Sequence, residues 1–499
     1  MKRRDFLKSS AGAGPIASAI PARPSASVAG GLPEKTAPIS AAILKSFTPE
    51  DHRRRLQNIA RCEQGVRQCL RKHLITDYLP GQCVYCLGEY PAPKIWDPGD
   101  WDEQELDRLK AHNIGMIHLH EEWNDVLRLY GGHKFAPANP AGFRRFIDMA
   151  HRRGMKVIVY ISSGFFHQAD PDFRPEWTRQ LCSTQQWLPY QWVWCSPASA
   201  GWRAYLLKHI ARILDEYGVD GLYNDSMSFS LSQTSPTPDE VLAFEETSAH
   251  DGAFEDLMAI IYAEVKRRGG IVKVHQNANE VPRTRLKIYD YLWVGETVQN
   301  IDKLRDEVKN HPPYVVPCLD MSVAKIEREE ELYLQAIPYM QFPVLLGGHP
   351  LTGERVLYPG NIFPPESDAT KGSHKLMDYY RAHPNDPPKA GCWDSVPGRP
   401  EMRPTHAKWL KQYLPMVEEG TWAYLEITDS NLFAQPLPAN VVASAFANRD
   451  LYLVLANYGQ SPAEIETADA YIAVDDNAAG PQKRWKLERR SLHILRRST

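Results

Sequence analysis

Three carboxylic residues in this sequence, Asp225, Glu296 and Asp320, each follow directly after an apolar or aromatic run. Cleavage of a glycosidic bond needs one carboxylate that attacks or activates water, and one protonated carboxyl group that assists the leaving oxygen. We expect Asp225 to be the carboxylate. Glu296 is the first candidate for the acid, because the aromatic run before it would raise the pKa of its carboxyl, and Asp320 is its competitor. The alternative for Asp225 is a structural role as the N-cap of a following helix.

Imidazole, amide and aromatic side chains occur at the same kind of position, after apolar runs. Amides and carboxylates suit a hydroxyl-rich ligand, because a sugar hydroxyl both donates and accepts hydrogen bonds, and we therefore predict a carbohydrate substrate. Glu121 and Glu122 are neighbours on an extended chain, so both cannot face one site. The candidate substrate-binding residues are His118, His120, Glu121, Trp123, Tyr160, Tyr223, Asn224, His275, Asn277, Trp293 and His349.

The apolar runs alternate with amphipathic stretches of helical length between residues 81 and 350. This rhythm predicts a parallel sheet, and eight units favour a closed (β/α)8 TIM barrel over an open doubly wound sheet, since no Gly-x-Gly-x-x-Gly follows the first run. The carboxyl ends of barrel strands form the active-site face, so the polar residues should meet there. The predicted strands are Gln82–Gly88, Gly115–His120, Lys156–Ser162, Asp220–Asn224, Val272–Gln276, Tyr291–Gly295, Tyr314–Leu319 and Gln341–Leu346, and the predicted helices are Asp102–His112, Pro140–Arg153, Ala200–Tyr217, Phe254–Arg268 and Thr405–Val417.

After the last of these helices the apolar pattern changes to a period of two residues. The runs Val441–Ala447, Leu451–Tyr458, Ala463–Val474 and Trp485–Leu495 predict an antiparallel β-sandwich. A role in binding polymer and a purely structural role are both open for it. The predicted domains are a helical segment over residues 31–80, the barrel over 81–420 and the β-sandwich over 421–499.

The first 30 residues have the layout of an export signal, with a basic start, a weakly apolar middle and small residues near a cleavage site. Arg3-Arg4-x-Phe6-Leu7-Lys8 resembles a twin-arginine signal, which implies the twin-arginine export machinery as a partner and a periplasmic or secreted protein. No later run reaches the roughly 18 apolar residues of a membrane span, so we expect no stable membrane anchor. The net charge of −3 argues against a nucleic-acid partner.

The eight cysteines make disulfides possible in an exported protein. Cys83-x-x-Cys86 resembles a redox or metal pair, but strand alternation would place the two side chains on opposite faces, which favours structural cysteines. His118-x-His120, together with His275 and Asp320, resembles the metal cluster of amidohydrolase-type barrels, and a metal-dependent hydrolase is therefore one alternative function. A non-catalytic carbohydrate-binding barrel is the other. Our first prediction includes no metal and no cofactor.

The stretch Gly115–Met227, especially Lys156–Ser162, Cys195-Ser196-Pro197 and Gly218–Asp225, resembles the barrel of the α-galactosidase and α-glucosidase clan, and more narrowly some poorly characterised bacterial glycosidase-like proteins. The resemblance implies a (β/α)8 barrel with a C-terminal β-sandwich and retention of anomeric configuration. It also implies a nucleophile on strand four, which is Asp225 here, and an acid/base on strand six, which is Glu296. The chain departs from the clan's Lys-x-Asp pattern with Tyr223-Asn224-Asp225, and it has Glu where the strand-six acid is usually Asp.

Overall fold

The computed structural model describes residues 48–76, 78–87, 95–120, 123–124, 135–167, 170, 172–178, 185–187, 190–225, 247–275, 287–294, 305–306, 316–319, 329–349, 403–476, 478 and 480–498. All of them belong to one compact unit, Ile39–Thr499. Its main elements are a parallel sheet and an antiparallel sheet. No helix in the described ranges is long and apolar enough to cross a membrane.

The parallel sheet contains a strand from every predicted β-unit of the barrel. Each strand pairs in parallel with the next one, and the apolar residues between the sheet and its surrounding helices form the larger core. The strands are β2 (Gln82–Leu87), β3 (Met116–Leu119), β4 (Lys156–Ser162), β8 (Gly221–Asp225), β9 (Ile271–His275), β10 (Tyr291–Val294), β11 (Val316–Leu319), β12 (Phe342–Pro343) and β13 (Leu345–His349), and the helices are α2 (Asp100–Ala111), α3 (Pro140–Arg152), α4 (Ala200–Tyr217), α5 (Thr247–Arg267), α6 (Glu329–Ala336) and α7 (Arg403–Tyr413).

The barrel closes through its eighth strand, which is divided into β12 and β13. β12 pairs with β11, and β13, which begins after the single residue Val344, pairs with β2. The prediction of one continuous strand over Gln341–Leu346 is therefore wrong in detail, since Pro343 has no N–H with which to continue a ladder. Gly348 has φ 93°, and a Cβ there would lie 2.1 Å from the carbonyl oxygen of Cys86, so only glycine allows this closure.

The helices begin and end where their sequences provide caps. Ser199 accepts a hydrogen bond from the N–H of Trp202 at the start of α4 (3.3 Å), and Gly218 ends that helix with φ 70°. Asn139 caps α3 in the same way through Gly142. These signals explain why the predicted bounds of α4 agree with the structure, and why those of α3 differ by one residue.

A short antiparallel sheet interrupts the barrel between β4 and α4, and the sequence analysis did not predict it. It consists of β5 (Phe165–His167), β6 (Gln185–Trp187) and β7 (Tyr190–Trp194), in the order β5-β7-β6. A hydrogen bond from the Cys195 N–H to the carbonyl oxygen of Gly164 (2.8 Å) joins the two ends of this insertion.

The C-terminal sheet has seven strands, which are β1 (Val66–Ile75), β14 (Trp422–Ser430), β15 (Val441–Ala447), β16 (Leu451–Asn457), β17 (Ala463–Ala473), β18 (Gln482–Leu487) and β19 (Ser491–Arg497). Their order in the sheet is β1-β14-β15-β16-β19-β17-β18. Residues 31–80 were predicted to be helical, which is wrong over β1 (Val66–Ile75), because this segment pairs with β14 after the helix α1 (Pro49–Gly65). One predicted strand, Trp485–Leu495, is two strands joined at a turn where Arg490 has φ 49°.

Aromatic rings connect the amino-terminal end of the barrel to the C-terminal sheet. Tyr78 lies 5.8 Å from both Tyr291 of β10 and Phe342 of β12, and 5.9 Å from Trp422 of β14, measured between ring centroids. The barrel is therefore filled at its amino-terminal end, which leaves the carboxyl ends of its strands as the face for a site. The sequence predicted a (β/α)8 barrel with a C-terminal antiparallel β-sandwich. The barrel and a C-terminal antiparallel β domain are confirmed, and the strands of that domain form one hydrogen-bonded seven-stranded sheet.

Candidate functional site

Asp225 is the last residue of β8 and lies on the interior side of the barrel at the carboxyl ends of the strands. Its carboxylate is buried, with 1% of the residue exposed. The Tyr160 hydroxyl donates a hydrogen bond to Oδ2 (3.1 Å), and Nδ1 of His275 lies 3.4 Å from Oδ1. Because β4, β8 and β9 are neighbours in register at this level, three different strands supply the groups around one carboxylate.

Tyr223 lies at the centre of a group of rings below Asp225. Its ring centroid is 4.1 Å from that of His118, 5.7 Å from Trp293, 5.8 Å from Tyr160 and 5.9 Å from His275. His120 lies next to this group, with its ring tilted relative to that of Tyr160 and the two centroids 5.9 Å apart. Seven of the predicted site residues are thus brought together in the barrel interior, and they are His118, His120, Tyr160, Tyr223, Asp225, His275 and Trp293.

His118 is neutral in this environment. Burial lowers the pKa of its imidazole well below the usual value, and the nearby charges of Lys273, His120 and His275 lower it further. Within the described part of the chain, neither ring nitrogen has a hydrogen-bond partner. A buried imidazole without partners costs free energy, which is a common property of functional sites and marks His118 as a residue of interest.

Lys273 is a buried interior residue that the sequence analysis missed. Its Cα is paired with that of Tyr223, it is fully buried, and its Nζ lies 5.5 Å from the ring centroid of Trp293. The signal was present in the sequence, since Lys273 is two residues before His275 in an apolar strand. Strand alternation therefore assigns both to the same face.

Two predicted substrate-binding residues have structural positions instead. Asn224 lies on the outer side of β8, where its Oδ1 accepts a hydrogen bond from the Ser163 N–H (3.1 Å) and its amide nitrogen lies 3.3 Å from the sulfur of Met258. The Trp123 indole N–H donates to the carbonyl oxygen of Tyr160 (2.9 Å), and its ring stacks on Phe143. Both side chains support the strand ends that carry Tyr160 and Asp225.

His349 lies at the end of β13, outside the barrel and beside α2. Its Nε2 is 2.9 Å from Oδ1 of Asp102, and its ring stacks on Trp101 with centroids 4.2 Å apart. Burial alone would raise the pKa of Asp102, but the hydrogen bonds from His349, Tyr85 and Gly99 outweigh it and lower that pKa. The structure therefore separates His349 from the interior group around Asp225.

Four predicted site residues, Glu121, Asn277, Glu296 and Asp320, lie outside the described residues. The segment that Asp225 would cap as a helix N-cap, residues 226–246, lies outside them as well. The choice between Glu296 and Asp320 as the acid thus stays a prediction, and so does the choice between catalysis and capping for Asp225.

The described residues include no group of three or more potential ligands that could hold a metal ion. Cys62, Cys83, Cys86 and Cys195 are buried, and Cys69 is partly buried. Burial raises the pKa of the Cys62 thiol to about 12, which leaves that thiol protonated and inert. These five cysteines have structural positions.

Comparison with solved structures places this fold among known barrels. The chain is similar to a maltogenic α-amylase of Thermotoga neapolitana (TM-score 0.50, 14% identity, covering 84% of this chain and 99% of that one). It is also similar to α-amylases of Geobacillus thermoleovorans and of Anoxybacillus (TM-score 0.50 and 12% identity each, covering 84% of this chain and 98% of each of those). No protein-family model and no curated protein sequence matches the chain. At this identity the likeness concerns the fold.

Proposed function

We propose that this protein is a glycoside hydrolase that cleaves O-glycosidic bonds of an oligo- or polysaccharide with two carboxyl groups and retention of configuration. One observation carries the proposal, which is the position of Asp225 inside the barrel at the carboxyl end of strand four, with Tyr160 and His275 at its two oxygens. Active sites of TIM barrels lie at this face, and a buried carboxylate held by neutral and basic groups suits attack on an anomeric carbon.

In this mechanism the carboxylate of Asp225 attacks the anomeric carbon, and the bond to the leaving oxygen breaks. Glu296 donates the proton that the leaving oxygen takes, with Asp320 as the alternative donor. A covalent glycosyl ester on Asp225 results. The deprotonated acid then takes a proton from water, and the water oxygen attacks the same carbon and releases Asp225. The Tyr160 hydroxyl and the His275 imidazole keep the carboxylate in one orientation during both steps.

The α-amylase likeness determines which substrates to test first. α-Linked glucans and aryl α-glucosides come before aryl α-galactosides, which the α-galactosidase resemblance suggests, and before β-linked substrates. A retaining enzyme and an inverting one differ in the anomer that they release, which NMR of the first product observes directly.

The decisive experiment is chemical rescue of Asp225→Gly. We expect this variant to lose turnover of an activated aryl glycoside, and sodium azide to restore it by forming a glycosyl azide of inverted configuration, because the small anion fills the space of the missing nucleophile. Turnover without azide at the wild-type rate would refute Asp225 as the nucleophile. If the wild-type protein binds sugars but cleaves none of the substrates, the non-catalytic carbohydrate-binding barrel is the correct function.

We further propose export by the twin-arginine route to the periplasm or beyond, because of Arg3-Arg4-x-Phe6-Leu7-Lys8. Replacing Arg3 and Arg4 by lysine together should retain the unprocessed protein in the cytoplasmic fraction. Normal export of the double variant would contradict this route.

A further inference from the structure

Two ionisable side chains lie deep in the barrel interior, at a level where TIM barrels usually have branched apolar residues. They are His118 and Lys273, and both are fully buried. The Cα of Lys273 is paired with that of Tyr223, and the ring centroid of His118 lies 4.1 Å from that of Tyr223. Since Tyr223 precedes Asp225 by two residues on β8, this level is about 7 Å from Asp225 along the strand. The two side chains therefore lie beneath the candidate site, toward the amino-terminal end of the barrel.

Lys273 and His118 are also close to each other. The Nζ of Lys273 lies 5.5 Å from the ring centroid of Trp293, and the ring centroid of His118 lies 5.6 Å from the same point. Burial is the main cause that lowers the pKa of the His118 imidazole, and the positive charge of Lys273 lowers it further. We name these two residues the Lys273–His118 pair.

The charge of the barrel interior near Asp225 is unequal. Among the described interior residues of this half of the barrel, Lys273 and the imidazoles of His118, His120 and His275 can be positive, and Asp225 is the one carboxylate. In the proposed mechanism the second carboxyl group is protonated when the substrate binds, so it adds no negative charge. A neutral sugar does not require a buried ammonium group beneath the nucleophile.

An anionic group is the ligand that suits the Lys273–His118 pair best. An ammonium group only donates hydrogen bonds, whereas a sugar hydroxyl is matched by groups that both donate and accept. A hydrogen bond from an ammonium group to an anionic oxygen is about twice as strong as a neutral one. Neither ring nitrogen of His118 has a partner among the described residues, so its N–H can donate to the same ligand. The charge of Lys273 would also offset the repulsion between an anionic substrate and Asp225.

We propose that Lys273 and His118 bind an acidic substituent, a carboxylate or a sulfate ester, on the sugar whose glycosidic bond is cleaved at Asp225. The substrate class is therefore an acidic saccharide, such as one that contains uronic acid residues. This inference deepens the proposed function and rests on it for the reaction at Asp225, but the binding preference can be measured without turnover. It adds acidic saccharides to the α-linked substrates that the likeness in fold suggests.

The first test compares matched monosaccharides, which have no glycosidic bond and are not consumed, on the full-length wild-type protein. Isothermal titration calorimetry gives Kd for D-glucuronate and D-glucose 6-sulfate against D-glucose, and for D-galacturonate against D-galactose. At least one acidic sugar should bind about tenfold more tightly than its neutral counterpart, since a charge-assisted hydrogen bond is worth about this ratio. Tighter binding of a uronate identifies a carboxylate as the ligand, and tighter binding of the sulfated sugar identifies the ester. Equal Kd values within every pair overturn the inference.

Variants of the full-length protein test the location of the preference. Lys273→Met should bring the Kd values of the acidic and neutral sugars to within about twofold of each other, and Lys273→Arg, which keeps the charge, should retain most of the preference. His118→Phe keeps a ring without an N–H and should reduce the preference by about threefold. The matched control is Lys266→Met, because Lys266 is a largely buried lysine at the other end of the barrel that contacts Asp290 (2.7 Å), and it should leave the preference unchanged. Circular dichroism checks the fold of each variant.

The remaining outcomes separate this inference from the proposed function. A preference that persists in Lys273→Met overturns the Lys273–His118 pair as the binding site, and an equal loss in Lys266→Met does the same. If the wild-type protein cleaves neutral and acidic aryl glycosides with equal kcat/KM, the inference fails and the proposed function stands. If acidic sugars bind in a manner that depends on Lys273 but no aryl glycoside or glycuronide is cleaved, the proposed function fails and the anion site stands.

Discussion

Asp220 and Asp225 lie at opposite ends of the same barrel strand, about 16 Å apart, and their surroundings differ in kind. At the amino-terminal end, Asp220 accepts hydrogen bonds from His151 Nε2 (2.7 Å), Lys156 Nζ (2.9 Å) and the Val157 N–H (2.8 Å). At the carboxyl end, Asp225 has the Tyr160 hydroxyl and the His275 imidazole beside it. The first carboxylate is held by a lysine ammonium group, an imidazole and a main-chain N–H, and the second by a tyrosine hydroxyl and an imidazole, with no main-chain donor among the described residues.

The arrangement of Asp220 occurs a second time in the barrel. Asp290 precedes β10 as Asp220 precedes β8, and it accepts hydrogen bonds from the Val272 N–H (2.9 Å) and Lys266 Nζ (2.7 Å). In both cases the aspartate lies just before one barrel strand, and its carboxylate accepts a hydrogen bond from the main-chain N–H of the second residue of the neighbouring barrel strand. The amino-terminal end is therefore built for stability. At the carboxyl end, neither ring nitrogen of His118 has a hydrogen-bond partner among the described residues, as expected if this end binds the ligand that we propose.

The strongest test of this contrast is activity. Asp225→Asn should reduce kcat by roughly 10⁴-fold or more while the protein stays folded, because the amide is a poor nucleophile of nearly the same shape. Asp220→Asn should keep kcat within about threefold, provided that it is assayed well below its Tm. Aryl glycoside kinetics with circular dichroism measure both. Equal losses of activity in the two variants would show that Asp225 has no greater role in the reaction than Asp220.

The effects of these substitutions on the free energy of unfolding should have the reverse order. Asp220→Asn should lower the free energy of unfolding by about 2 kcal/mol, since a partly buried lysine contact and a main-chain donor lose their charge partner. Asp290→Asn should lose a similar amount, and Asp225→Asn much less. Burial alone would raise the pKa of Asp220, but its three donors lower that pKa, so its contribution is present above pH 4 and lost as pH falls through the folded-state pKa. Urea titrations at pH 7 measure the differences, and stability losses in the opposite order would refute the assignment.

His406, a buried histidine in the helix layer, should make the free energy of unfolding depend on pH. Burial lowers the pKa of His406 to about 3, and its Nδ1 is bonded to the Tyr333 hydroxyl (2.8 Å). Since the unfolded chain takes up a proton near pH 6.5 and the folded chain does not, stability is present above pH 6.5 and is lost as pH falls. At pH 5 the loss is about 2 kcal/mol. The urea midpoint of the wild-type protein should be lower at pH 5 than at pH 7.5, and His406→Gln should reduce that difference. An unchanged difference in the variant would refute the role of His406 in the pH dependence.

The smallest expected effect is the change in kcat when the hydroxyl of one of two tyrosines is removed. Tyr160→Phe removes the donor to Asp225 and should lower kcat by about tenfold with little change in KM. Tyr262 donates in the same way to Asp290 at the other end of the barrel (3.2 Å), so Tyr262→Phe is the matched control and should leave kcat unchanged. A fall in kcat in the control as large as in Tyr160→Phe would show that packing, not the contact with Asp225, is responsible.

Much of the site was predictable because a strand has a period of two residues. The alternation of His118 with His120, and of Tyr223 with Asp225, assigns these residues to shared faces without knowledge of any partner. The same rule would have identified Lys273 and would have turned Asn224 outward. Trp123 could not be recognised as structural, because its hydrogen-bond acceptor, the carbonyl oxygen of Tyr160, is 37 residues away.

By itself, the sequence determined the rhythm of strands and helices, the caps of α3 and α4, and the side of each strand that faces the barrel interior, since these depend on residues a few positions apart. The tertiary structure alone decided that β13 pairs with β2 to close the barrel, that β1 joins the C-terminal sheet, and that His275 and Tyr160 meet at Asp225. Those contacts connect residues far apart in the chain, and their formation depends on the packing of the whole barrel rather than on local preference.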